Sequence, residues 1–154
     1  VLMFAKSPQM SKDVQREITS MSSFVQNIRQ FHLAQGTYAG TTNTILRQGR
    51  LVPDTMFLET SGEGDILNAW RQAVTFAPET VGGIANMGFS LSFSVPSGAC
   101  SQVVSGLQGD FIRISVGGNA SVKTEGNPIN LANLSAGCTG ATTNTMIPLV
   151  LTSM

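Results

Sequence analysis

Between Met10 and Gln35, the apolar residues Val14, Ile18, Met21, Val25 and Ile28 recur at steps of 4, 3, 4 and 3. That spacing lines side chains along one face of a helix. Phe24 and Phe31 widen the stripe toward its C-terminal end. Ser7-Pro8 suits a helix start, because proline is tolerated in the first turn, and Gly36 suits a stop. The pattern predicts one amphipathic helix of about seven turns. From Thr37 to Gly64 the chain is polar and irregular, with a short helix at Thr42 to Gln48, an extended exit at Leu51-Val52-Pro53 and a loop at Ser61 to Gly64.

The period then switches to two. Ala73 to Ala77 reads as a short strand stopped by Pro78. Gly88 to Val95 alternates strictly, as a strand with one buried and one wet face. Pro96-Ser97-Gly98 ends it, and Ser97 suits the cap of a helix from Ala99 to Leu107. Cys100, Val103, Val104 and Leu107 share one face of that helix. Phe111 to Val116 is a further strand, which Gly117-Gly118-Asn119 turns into a hairpin with Ala120 to Lys123. Ile129 to Leu134 fits helix or strand. Met146 to Leu151 reads as a last strand, placed at a sheet edge by Pro148. The order predicts an α+β domain: a long N-terminal amphipathic helix, docked through its seam on an antiparallel sheet.

At 154 residues the chain is long enough for a single domain with its own core. Charged residues make up only 12%, about half the usual share of a soluble domain. Polarity comes instead from Ser, Thr, Asn and Gln, a mix suited to exported β-rich surfaces. Charge is unevenly placed: residues 1–50 hold six basic and two acidic groups, and residues 51–154 hold three and seven. The halves therefore carry +4 and −4, which allows head-to-tail attraction between copies or simply two solvated faces. Clustered Lys and Arg of the kind that bind nucleic acid are missing. Two cysteines, Cys100 and Cys138, with no CxxC, argue against a Cys-bound metal. They suit one disulfide in an oxidising compartment, the alternative being two buried thiols. Val1 to Ala5 are all apolar, and read as the last turn of a removed hydrophobic segment or as residues added for expression.

Chemistry is hard to find. His32 is the only histidine and lies at the edge of the helix seam, where it reads as a packed or partly solvated side chain rather than a base. There is no G-x-S-x-G and no P-loop, and Gly62-Glu63-Gly64 lacks the third glycine of a dinucleotide fingerprint. Asp54, Glu59, Glu63 and Asp65 are acid-rich but lack calcium-loop spacing. Trp70 reads as an anchor between loop and sheet. No catalytic residue, cofactor or metal is assigned.

Several stretches, in order, resemble type IVb pilins, in particular PilS-like major pilins. Gly49-Arg50-Leu51-Val52-Pro53-Asp54-Thr55-Met56 resembles a family segment between helix and sheet. Ile66-Leu67-Asn68-Ala69-Trp70 followed by Ala73 to Phe76 resembles the entry to the first strand. Phe89 to Val95 with Pro96 and Cys100 resembles the strand-Pro-helix unit, and Cys138 with Asn144 to Ile147 resembles the closing cysteine and final strand. The family often has glycines after the aromatic residue, whereas Arg71-Gln72 follow Trp70 here.

The resemblance implies a pilin fold, with residues 1–36 as the C-terminal half of the pilin helix. Residues 37–154 form the globular head, including the disulfide-bounded region 100–138. It implies an N-terminally truncated, soluble form whose membrane-anchoring segment is missing. The implied function is that of a structural, non-enzymatic subunit, polymerised with other pilin subunits by the assembly machinery. The polymer is an extracellular pilus for adhesion, aggregation or mating-pair contact with host or recipient cells. Before assembly the subunit would sit at the inner membrane and periplasm. A minor or tip pilin, or an adhesive module on the same fold, is the alternative. Lys12, Arg16 and Arg29, on the outer face of the helix, are the expected subunit contacts.

Overall fold

The computed structural model describes residues 8–53, 56, 66–142 and 144–154. Readings that fall on Val1 to Ser7, on Asp54-Thr55, and on the acidic loop holding Glu59, Glu63 and Asp65 lie outside the described residues. Helix α1 runs Pro8–Gln35 and ends as expected, with the Gly36 N–H donating to His32 O at 2.6 Å. A short α2 follows at Asn43–Gln48. The head then continues as β1 (Thr75–Val81), β2 (Ile84–Pro96), α3 (Ser97–Leu107), β3 (Arg113–Val116), β4 (Asn119–Lys123), α4 (Leu131–Gly137) and β5 (Met146–Ser153). The five strands form one sheet in the order β1-β2-β5-β3-β4, with every neighbouring pair antiparallel.

Helix α1 packs on this sheet through one continuous core. Val14, Met21, Phe24, Val25 and Ile28 are buried together with Phe89, Leu91, Phe93 and Val95 of β2 and Ile147, Leu149 and Leu151 of β5. Ile18 is only partly buried, because it lies on the flank of the stripe against α3. There Gly106 has no side chain, and a Cβ would collide with Ile18. The centre of the buried stripe therefore runs Val14, Glu17, Met21, Phe24 and Ile28, with an acid among the hydrophobes. Cys100, Val103, Val104 and Leu107 all face the core from α3.

Four sequence expectations need correction. Strand β1 does not stop at Pro78 but runs through it to Val81, because β1 is an edge strand on which a missing N–H leaves no partner unsatisfied. The two-glycine turn Gly82-Gly83, with φ of 62° and 79°, then closes the β1–β2 hairpin. Pro148 lies not at an edge but in β5, the middle strand. It is tolerated because β3 ends at Val116, so Pro148 sits just past that strand and only receives a bond, from the Gly117 N–H at 2.8 Å. Ser97 does not cap α3: its hydroxyl donates to Thr142 O at 2.6 Å instead. The serine face of β2 is not fully wet, since Ser90 is buried and donates to Glu79 Oε2 at 3.0 Å. The ambiguous stretch resolves as α4, with Asn130 as N-cap accepting from the Asn133 N–H.

Asparagines bond part of each outer strand. At β1, Asn43 Nδ2 donates to Val74 O at 2.9 Å and its Oδ1 accepts from the Phe76 N–H at 2.8 Å. One side-chain amide thus occupies the positions a further strand would take. At β4, the Asn130 N–H bonds Val122 O and Asn133 Nδ2 bonds Ser121 O.

Candidate functional site

Helix α1 makes two polar contacts with residues 66–74, which precede β1. This segment is a small loop closed by the Leu67–Ala73 bridge and by the Val74 N–H to Ile66 O bond. Asn68 is its hub. Its Oδ1 accepts from the Trp70 and Gln72 N–H groups, each at 2.9 Å, and its Nδ2 donates to Ser94 O at 2.7 Å. The loop is thereby pinned to β2. Trp70 is partly buried against the core.

Helix α1 grips the same loop at Ala69. Glu17 Oε1 accepts from the Ala69 N–H at 3.1 Å, and Arg16 Nη2 donates to Ala69 O at 3.2 Å. Two adjacent helix residues thus hold both polar groups of neighbouring peptide units. Glu17 is 1% exposed, and its Oε2 has no hydrogen-bond partner. Burial pushes its carboxyl up to about 7, while the Ala69 bond and the Arg16 charge pull the other way without cancelling it. Arg16 also pairs with Asp13 at 3.4 Å. The sequence reading missed Glu17. The available signal was its spacing, three residues after Val14 and four before Met21, which places an acid on the apolar face.

The turn in this loop answers the departure noted at Arg71. Its φ is 61°, the left-handed conformation that glycine adopts without strain. We expect Arg71→Gly to stabilise the domain by roughly 0.5–1 kcal/mol, the relief of a strained φ less the added chain entropy of glycine. Urea unfolding of the two proteins checks the sign.

Of the expected contact residues, Lys12 is exposed and the Arg16 side chain is half exposed. Arg29 is different, being half-buried and bonded within its own subunit. Its Nη2 donates to Asp110 O and to Ser153 Oγ, each at 2.6 Å, and its Nε donates to Met154 O at 3.3 Å. It ties α1 to the end of β5. Nearby, His32 stacks on Tyr38 with ring centroids 4.2 Å apart, and Tyr38 meets Phe89 edge-on. His32 is thus a packed ring. Cys100 and Cys138 form the disulfide, with Cα atoms 5.7 Å apart, joining α3 to the end of α4. Among the described residues, no group of three or more His, Cys, Asp or Glu is placed to hold a metal ion. None of their helices is long and apolar enough to cross a membrane.

A long helix docked on an antiparallel sheet, with a late disulfide bounding the last helices, is the type IV pilin fold. The family described as PilS N terminal matches residues 11–153, and the chain belongs to it. Two solved structures share the fold. The type IVb pilin from Salmonella typhi is 22% identical, with a TM-score of 0.62 over 88% of this chain and 95% of its own. TcpA, a type IV pilin from the Vibrio cholerae El Tor biotype, is 13% identical, with a TM-score of 0.64 over 93% and 99%. No curated protein sequence matches the chain. Membership makes this a structural protein rather than an enzyme, and implies polymerisation with pilin subunits in a surface pilus.

Proposed function

We propose that the chain is a structural subunit of a type IVb pilus, and that the filament serves adhesion, aggregation or mating-pair contact. The family match over residues 11–153 carries this reading. In it, residues 1–36 are the helical part, residues 37–154 the head, and Lys12 and Arg16 present positive charge to the acidic heads of neighbouring copies. Arg29 contributes its charge from a fixed position rather than as a free side chain. Asparagine bonds occupy part of each outer strand, at the start of β1 and at Ser121-Val122 of β4, which disfavours growth by strand addition there.

Deleting the gene from its own cell should remove surface filaments in electron micrographs, and complementation should restore them. Filaments that persist while attachment is lost would mark a minor or tip subunit instead. Lys12→Glu with Arg16→Glu should reduce filament number while leaving a folded monomer by circular dichroism. Normal filaments from that variant would remove these residues from the contact.

A further inference from the structure

The Glu17 carboxyl is sealed from solvent and accepts one hydrogen bond, from the Ala69 N–H to Oε1 at 3.1 Å. Its Oε2 is buried without a partner. A neutral carboxyl tolerates that setting at modest cost, whereas a carboxylate there gives up its hydration for a single donor. Charge around it is sparse. On α1 the neighbours are Arg16 and Asp13, which pair with each other at 3.4 Å. The loop 66–74 contributes Arg71, which is exposed. Helix α3 and strands β2 and β5 hold no charged residue. Glu59, Glu63 and Asp65 lie outside the described residues. An ionised Glu17 therefore needs water at Oε2.

Two elements meet at that carboxyl, and they are unequally held. Helix α1 is anchored in the core by Val14, Met21, Phe24, Val25 and Ile28. The turn at Ala69–Arg71 is tied to the helix by two bonds, from the Ala69 N–H to Glu17 and from Arg16 to Ala69 O. Its other hold is Asn68, whose Nδ2 donates to Ser94 O at 2.7 Å, together with the partly buried Trp70 ring. Its tip keeps Arg71 at a left-handed φ of 61°. Lifting this short turn about Asn68 admits water at less cost than displacing the helix. We propose that Glu17 and the Ala69 peptide form a proton-operated latch: the protonated carboxyl keeps the turn closed on α1, and its ionisation loosens the turn and frees Arg16 from Ala69 O. The closed form binds the proton more tightly than the open one. Opening is therefore rarest below the ordinary 4.5, grows as pH rises toward about 7, and levels off above it. Global unfolding carries the same linkage, but the latch opens with α1 and the sheet intact.

Amide hydrogen exchange of the folded chain, read by NMR and corrected for its intrinsic pH dependence, separates the two. Protection of the Ala69 amide should fall about 70-fold between pH 5 and pH 8, the factor for a carboxyl that regains its ordinary affinity in the open turn. That exchange should hardly respond to urea below the unfolding range. The amides of Ser90, Leu91 and Ser92, in a strand paired on both sides, should respond steeply. In Glu17→Gln, protection at Ala69 should not change with pH. Three results would each overturn the latch: Ala69 protection in the parent that ignores pH, a fall that persists in Glu17→Gln and so belongs to another acid, or Ala69 exchange that follows urea as steeply as Leu91, which leaves global unfolding alone.

Discussion

Replacing both Cys100 and Cys138 with alanine is expected to lower the unfolding free energy by about 4 kcal/mol. The bridge closes a stretch with a sequence separation of 38. In the chain-entropy account, that closure removes unfolded conformations which the alanine protein regains. The loss is large against the 5–15 kcal/mol of a typical domain. The folded state adds a local reason. Gly137, beside the second cysteine, packs so closely that a Cβ there would collide with Val116 O, so the end of α4 sits directly on β3. Without the bridge, α4 is held mainly by Leu134 and by the asparagine bonds to β4. Denaturant melts of the oxidised, reduced and double-alanine proteins measure the difference. Loss of less than about 1 kcal/mol would show that the unfolded chain stays compact in this region. Alkylation of the unreduced protein should modify neither thiol, since the described residues hold no free cysteine.

The second expectation concerns pH. Burial pushes the Glu17 carboxyl up to about 7 in the folded protein, from the ordinary 4.5. Between those values the folded protein binds more protons than the unfolded one, so stability falls as pH rises. The stabilisation is fully present below about 4.5, is lost progressively up to about 7, and changes little above that. The full span is about 3 kcal/mol, an order-of-magnitude figure from the size of the shift. Glu17→Gln keeps an oxygen to accept from the Ala69 N–H and removes the buried charge. It should therefore flatten the pH profile and exceed the parent in stability at pH 8. Urea midpoints at pH 5 and pH 8 for both proteins decide this. Equal slopes with pH would exclude Glu17 as the cause. Glu17→Ala should be worse than Gln at pH 5, because it also orphans the Ala69 N–H.

The parts of the fold that could be read in advance are those governed by local periodicity. The seam from Val14 to Ile28 predicts α1, alternation from Phe89 to Val95 predicts the core half of β2, and paired glycines before Asn119 predict the β3–β4 hairpin. Where local rules misled, a neighbour distant in sequence had supplied the missing condition. Proline is a strand breaker only where its absent N–H is needed. Pro78 lies on an edge and Pro148 lies beyond the end of β3, so neither position needs one. Ser97 has the chemistry of a cap, but Thr142, brought close by folding, takes its hydroxyl.

The candidate contact residues divide in the same way. Lys12 and Arg16 are exposed as amphipathicity predicts, whereas Arg29 is tied down by the ends of two segments, at Asp110 and at Ser153-Met154, that only the fold assembles. What the sequence determined by itself is the helix, the strand-forming half and the resemblance to pilins, because spacing and residue type suffice for each; the choice between a bridge and two thiols was left to the fold, which joins Cys100 to Cys138. What only the tertiary structure decided is the burial of Glu17 over the Ala69 peptide, the three acceptors that hold Arg29, and the asparagine bonds on the two outer strands. Each depends on the environment of a polar atom, and that environment is built by residues far along the chain.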